Sequence, residues 1–353
     1  MVLVGYVSLA AADEWEQVLA AAKKEGTVAV IGPVGAARHD ALTMTFEKEY
    51  PGIKVEYWAV RGAEAGPKLS AERRADKFLW DVFFGGTSTG LLALIPGKML
   101  DPLEPALILP LVKDPKQWRG GALDFVDPGK RLLVMTPSQR GILYVNPNIV
   151  KPDSITSYKD LLDPKYKGKI VIDDPTKAGP GQATFTFFYL HPALGPKFIQ
   201  QLAKQEPTFM KENLQENDAI AKGKFLVLVG TSDVIAEERI KAGMPIAIID
   251  PRKIKEGSDI SPGPGALAMF NRAPHPNAAK VYINWVLSKE EQTDFARESG
   301  LISARLDVPT DHSPWRVPIP NAIKSYDRAA MDVKDDMIAV VEKAFGMKSR
   351  PMR

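Results

Sequence analysis

Apolar positions in the first quarter of the chain alternate between two periods. Trp15, Val18, Leu19 and Ala22 share one helical face across residues 15–25, and Gly26 closes that helix. Residues 27–31 (TVAVI) form a short unbroken apolar run next to glycine, the pattern of a strand covered on both faces. Gly32-Pro33-Val34-Gly35 turns the chain, and residues 36–50 return to helical spacing until Pro51-Gly52. A strand over 53–60, a helix over 65–77 and a strand over 80–84 follow. Strand–helix–strand with crossovers of this length is the signature of a parallel α/β sheet.

Between residues 99 and 128 proline and glycine interrupt the alternation. Residues 131–135 and 141–145 read as strands flanking Thr136-Pro137-Ser138-Gln139-Arg140. The α/β pattern then restarts, with predicted helices over 158–162, 182–189, 196–204, 217–222 and 234–242. Strands are predicted over 169–172, 225–229 and 246–249. After Ser261-Pro262-Gly263-Pro264-Gly265 come a strand over 266–270 and helices over 277–287, 290–298 and 333–345. The chain thus predicts two α/β layer systems, with no internal repeat.

Composition narrows the function classes. The 353 residues carry 46 Lys and Arg against 43 Asp and Glu, a net +3 with no polybasic block, so no nucleic-acid partner is expected. The absence of cysteine removes disulfides, thiolate metal sites, cysteine nucleophiles and a lipid-attachment cysteine together. Residues 1–12 are apolar and end in Ala10-Ala11-Ala12, like the hydrophobic region and cleavage site of a secretory signal without its basic leader. They are expected to be a signal remnant, which makes the protein exported, soluble and periplasmic; a first strand tucked into the core is the alternative.

Several phrases, in this order, resemble the extracytoplasmic solute-binding proteins of ABC importers, in particular the type II, iron-binding-protein-like group. They are Gly52-Ile53-Lys54-Val55, Trp80-Asp81-Val82-Phe83-Phe84, Ser157-Tyr158-Lys159-Asp160-Leu161-Leu162-Asp163-Pro164, and Pro274-His275-Pro276-Asn277 with Asn284-Trp285-Val286-Leu287-Ser288. The resemblance implies an α/β, two-lobed type II periplasmic binding protein fold with a hinge and an interlobe ligand cleft. It places lobe 1 at 13–136 plus 265–307, lobe 2 at 140–259 plus 308–353, and the hinge at 136–140 and 261–265. It also implies a monomer without a cofactor or catalysis, whose partners are a small-molecule ligand and a membrane permease. Iron-binding members of the group use a His, a Glu and a Tyr pair. The corresponding positions here fall near Ala36, with His39 three residues on, near Gly86, and around Thr231-Ser232-Asp233. None of these restores the phenolates that ferric iron favours, so the expected ligand is organic.

Ligands of open α/β sheets sit beyond the carboxyl ends of strands, where loops meet helix N-termini. That rule selects Gly35, and Gly86, Thr87, Ser88 and Thr89, in lobe 1. It selects Lys177, Gly181, Thr231 and Ser232 in lobe 2. The hydroxyls serve equally well as helix caps. Arg61 and Arg140 are candidates to grip a carboxylate, phosphate or phosphonate, each with a structural ion pair as the alternative. Ser138 at the hinge and Tyr144 as an apolar wall complete the set. Glu64, Asp174 and Asp233 are the acids for an alternative cationic ligand, polyamine- or thiamine-like; a ferric ion on atypical ligands is a further alternative. An enzyme on the same fold finds little support: His39, His191, His275 and His312 are scattered, and no nucleophile elbow or phosphate-binding P-loop is present.

Overall fold

The computed structural model describes residues 7–60, 62–177, 179–320 and 322–347. The first strands are β1 (Thr27–Gly32), β2 (Lys54–Ala59), β3 (Val82–Gly85), β4 (Asp124–Phe125), β5 (Leu133–Val134) and β6 (Ser138–Gln139). They are followed by β7 (Leu143–Val145), β8 (Ile170–Asp173), β9 (Thr208–Met210), β10 (Val227–Val229), β11 (Ala247–Ile248), β12 (Ile260–Ser261) and β13 (Ala266–Met269). The chain divides into two compact units. Unit 1 is Met1–Ser138 with Pro262–Pro314, and unit 2 is Gln139–Ser261 with Trp315–Arg353.

Unit 1 is built on a mixed sheet of order β2-β1-β3-β13-β5-β4. β1 runs parallel to β2 and β3, whereas β13 returns antiparallel between β3 and β5. Val28, Val30, Val82, Phe84, Leu267 and Met269 pack with Phe46, Tyr282, Trp285 and Phe295 from the covering helices. Two phrases of the sequence meet here. The buried Asp81 carboxylate accepts the backbone N–H of Ala29 and of His275, both at 2.7 Å, and His275 Nδ1 lies 2.9 Å from it. The Asn284 side chain accepts from the N–H groups of Ile108 and Leu109 and donates to Ala106 O, fixing an irregular segment to the helix Pro276–Val286.

Unit 2 has a sheet of order β11-β7-β10-β8-β9, with β8 parallel to β10 and β9 and with β7 antiparallel to β10 and β11. Side chains alternate along its central strands. Ile170, Ile172, Val227 and Val229 enter a core with Phe185, Phe188 and Phe198, while Val171 and Leu228 face Tyr144, Ile220 and Ala236. The C-terminal helix Lys334–Phe345 supplies Met337 and Val341 to the first of these cores.

Several elements differ from the sequence pattern. The first helix begins at Val7, before the expected Trp15, and so takes in residues 7–12 of the expected signal remnant; residues 1–6 lie outside the described residues. The helix expected over 36–50 contains a π turn, Ala41–Thr45. Residues Tyr158–Leu162 form a 3-10 helix, held by a capping box of Ser157 and Asp160 and stopped by Asp163 before Pro164, where α geometry is disfavoured. β9 has no counterpart in the pattern because three residues after Pro207 carry too little alternation to register. Among the described residues no helix is long and apolar enough to cross a membrane.

Glu291 is a buried acid in unit 1 whose Oε1 has no hydrogen-bond partner. Burial, and then the Asp294 and Glu49 carboxylates, push it up from 4.5 to about 9. The folded chain therefore keeps a proton that the unfolded chain releases, and stability falls as pH rises between those two values. Glu291→Gln is expected to gain about 1–3 kcal/mol at pH 8 and to flatten this dependence, measured by denaturant unfolding at pH 5 and pH 8.

Candidate functional site

Each unit gathers loops at the carboxyl ends of its strands. In unit 1, the ends of β1 and β3 and the residues following β2 enclose a cavity of about 280 Å³. Its walls are Ile31, Gly32, Pro33, Val34, Val60, Ala65, Phe83, Phe84, Gly85, Gly86 and Pro264, and Arg38 is its charged lining residue. Glycine shapes the floor: a Cβ on Gly32 would overlap the Tyr57 ring, whose hydroxyl donates to Pro33 O at 2.8 Å. Arg38 stands in the short helix Ala36–Asp40, with Nη1 a long 3.5 Å from Val34 O. Beside the cavity, Thr87 opens the helical turn Thr87–Thr89, with Gly86 in extended geometry at its N-cap and no side-chain cap. The backbone N–H groups of such a first turn have no intrahelical acceptor.

The sequence candidates of unit 1 divide accordingly. Gly86 lines the cavity, and Thr87, Ser88 and Thr89 follow it, Thr87 and Thr89 buried and Ser88 exposed. Gly35 is exposed at φ +123, a conformation that favours glycine. Arg61 lies outside the described residues. Ser138 is buried, and its hydroxyl accepts from Ile302 N at 2.7 Å and donates to Thr136 O at 3.3 Å, a structural role. Arg38, Val60 and Pro264 were missed by sequence reasoning. The available signal was the position of Arg38 four residues beyond Val34, which turns its side chain back over the loop after β1.

In unit 2, Gly181 and Thr231 come together at the ends of β8 and β10. Gly181 N donates to Asp173 Oδ2 at 2.7 Å, and a Cβ on Gly181 would overlap the Asp173 carbonyl. Gly230, at φ +77, packs directly against Gly181 Cα. Thr231 is buried, and its hydroxyl accepts from Asn217 Nδ2 at 3.1 Å. Ser232 is half-buried at the N-cap of the helix Asp233–Lys241, and its hydroxyl makes no capping bond. Lys177 is exposed.

The structure gives Arg140 and Tyr144 internal contacts. The Arg140 guanidinium is buried, with Nη1 3.3 Å from Asp259 Oδ2 and Nη2 donating to Pro180 O at 3.1 Å. Tyr144 is fully buried, and its hydroxyl donates to Asp233. Burial, and then the Asp233 carboxylate, raise that phenol well above its ordinary range. Two acids considered for a cationic ligand are similarly engaged: Asp174 accepts from Thr176 N and Oγ1, and Asp233 accepts from Gly141 N and Arg316 Nη1. Glu64 is exposed. Among the described residues no group of three or more His, Asp or Glu side chains is placed to hold a metal ion.

The chain has clear relatives. A family profile described as bacterial extracellular solute-binding protein matches residues 41–319. The Mannheimia haemolytica ferric iron-binding protein A, solved in an open conformation, is 15% identical with a TM-score of 0.70, covering 90% of this chain and 98% of that one. A Trichodesmium protein (IdiA, FutA), solved with iron and citrate ligands, is 17% identical with a TM-score of 0.69, covering 90% and 99%. The Actinobacillus pleuropneumoniae periplasmic binding protein AfuA, solved with fructose-6-phosphate bound, is 20% identical with a TM-score of 0.58, covering 90% and 97%. The α/β fold is that of periplasmic binding proteins.

With Arg140 buried against Asp259, Arg140→Ala is expected to strand the Asp259 carboxylate and to lower stability by about 3–5 kcal/mol, read by urea unfolding. An unchanged midpoint would return Arg140 to the ligand candidates.

Proposed function

Since the chain belongs to the bacterial extracellular solute-binding proteins, we propose that it captures a small organic anion, a carboxylate, phosphate or phosphonate, and delivers it to the membrane permease of an ABC importer. The observation that carries this reading is Arg38 in the lining of the apolar cavity of unit 1. A guanidinium with one weak backbone contact has most of its donors left for an incoming anion. The adjoining helical turn at Thr87 adds the hydroxyls of Thr87 and Ser88 beside Gly86 of the cavity wall. A cavity near 280 Å³ suits the charged end of a ligand and a few carbons. Thr231, Ser232 and Lys177 are the contacts proposed in unit 2.

Two considerations favour an organic anion over ferric iron. The positions of the iron-binding group's phenolates carry Thr231, Ser232 and Asp233, and Asp233 is committed to internal contacts. An anionic ligand agrees with the structural neighbours solved with iron and citrate ligands and with fructose-6-phosphate bound. Capture proceeds by lobe closure, in which a ligand with extra affinity for the closed arrangement shifts the equilibrium towards it by that amount. The protein is proposed to act in the periplasm as a monomer.

The test begins with denaturing the purified protein and identifying released small molecules by mass spectrometry. Thermal shifts then compare citrate, fructose 6-phosphate, a phosphonate, spermidine and ferric chloride. An organic anion is expected to give the largest shift; a shift with ferric chloride or spermidine alone would replace the reading. Arg38→Ala is expected to weaken that anion at least about tenfold by calorimetry, the cost of one charge-assisted contact, with the melting temperature of the free protein unchanged.

A further inference from the structure

Unit 2 holds two acids directly behind its ligand loops. Glu216, in the helix Asn213–Ala221, is fully buried, and Asp173 at the end of β8 is nearly so. The Asn213 side chain bridges them, its Nδ2 donating to Glu216 Oε2 at 3.0 Å and to Asp173 Oδ1 at 3.3 Å. Among the described residues no hydrogen-bond partner is placed on the buried Glu216 Oε1. Two carboxyl groups sharing one amide in a dry setting do not both ionise, because the like charges and the desolvation penalty act together.

The neighbouring charges decide where the proton resides. Burial raises Asp173, and Asp174 adds to this; against them the Gly181 N–H, the Glu216 carboxyl and the Arg140 guanidinium favour its anion. Burial, and then the Asp173 charge, push Glu216 up to about 8, against the weaker help that the Thr231 and Asn213 side chains give its anion. Glu216 is therefore the protonated member and Asp173 the anion that accepts from it.

The pair supports more than itself. Asp173 holds Gly181, and Gly181 lies against Gly230. Asn217, next to Glu216, donates to Asn213 O at 2.8 Å and to Thr231 Oγ1 at 3.1 Å. The loops at 179–182 and 230–232 are thus tied to the same helical turn that carries Glu216.

We propose that the Glu216–Asp173 pair is a proton-dependent mooring of the two ligand loops of unit 2: while the proton is shared the loops are held in place, and its loss releases them. The proposal rests on the reading of these loops as ligand contacts, and it makes unit 2 a surface that loosens as the medium turns alkaline. Between pH 4.5 and pH 8 the folded chain holds a proton that the unfolded chain has lost, so stability declines across that window. Above it, a second buried anion faces Asp173.

Hydrogen exchange on the free protein tests the mooring without any ligand, so its outcome is separate from that of the Arg38 experiment. Peptides covering 179–184 and 229–233 are followed at pH 6.5 and 9.5, with rates corrected for the chemical pH dependence of exchange. In the wild type, protection of both loops is expected to fall at least tenfold at the higher pH. In Glu216→Gln, whose carboxamide still donates to Asp173 but does not titrate, protection is expected to stay the same at both. Equal protection of the wild-type loops at both pH values, or the same loss in Glu216→Gln, would overturn the proposal. Should that variant fail to fold, Asp173→Asn removes the like charge while leaving Glu216 to titrate, so the loss of loop protection is expected to move to lower pH in a series between pH 5.5 and 9.5; a loss at the wild-type pH would overturn the proposal equally.

Discussion

The structure of unit 2 depends on a buried set of ion pairs where the chain enters it. The chain passes between units at 138/139, 261/262 and 314/315, and the nearby residues on the unit 2 side are Arg140, Asp259 and Arg316. Arg140 pairs with Asp259; Arg316 reaches Asp233 at 3.5 Å and Glu237 at 3.1 Å. Asp233 also accepts from Gly141 N and the Tyr144 hydroxyl, so one carboxylate gathers two of the three entering segments. Buried pairs of this kind add little net stability, since desolvation offsets their attraction, but breaking one leaves a charge stranded. Their effect is to fix geometry. Because Asp233 directly follows Thr231 and Ser232, the loop after β10 and the chain entries are positioned by the same charges.

The two units use different means to shape a surface at the ends of parallel strands. Unit 1 relies on close approach: Gly32 admits the Tyr57 ring, and Gly85 leaves room for Phe83. Space is thereby kept for an apolar cavity with a cation in its lining. Unit 2 relies on polar ties, with Gly181 bound to Asp173 and Thr231 bound to Asn217. On the unit 1 side of the passages, the Thr136 hydroxyl donates to Pro262 O at 2.8 Å; on the unit 2 side, Arg140 N donates to Asp259 O at 3.0 Å. The entering segments are therefore fastened within each unit, close to the points where the chain leaves it.

The phrases that carried the family resemblance are mostly framework. Asp81 and His275 lock β3 to the start of the helix Pro276–Val286, Asn284 anchors an irregular segment, and Ser157 caps a short 3-10 turn. Asp81, His275, Asn284 and Ser157 are not among the residues that line the cavity of unit 1, whereas Phe83 and Phe84 of the second phrase are. The proposed ligand groups stand on loops, whose lengths and residues are free to change once such a framework holds. This is why the family was legible from the sequence while the ligand was not.

The sequence by itself determined the run of strands and helices, because burial on both faces imposes continuous apolar runs on β1, β8 and β10 and a 3.6-residue period on the helices around them. It also pointed to the turns Gly86–Thr89, Gly181 and Thr231 through the general position of loops beyond parallel strands. It did not separate Arg140 from Arg38. Both are arginines near a turn, and only the fold reveals that Asp259 lies opposite one while the other borders an apolar cavity. Nor did it pair Asp173 with Glu216, forty-three residues apart by number, since that contact exists only once β8 and the helix Asn213–Ala221 are packed. Periodicity records which face of an element is buried; the partner of a charge is decided by long-range packing, which leaves no local pattern to read.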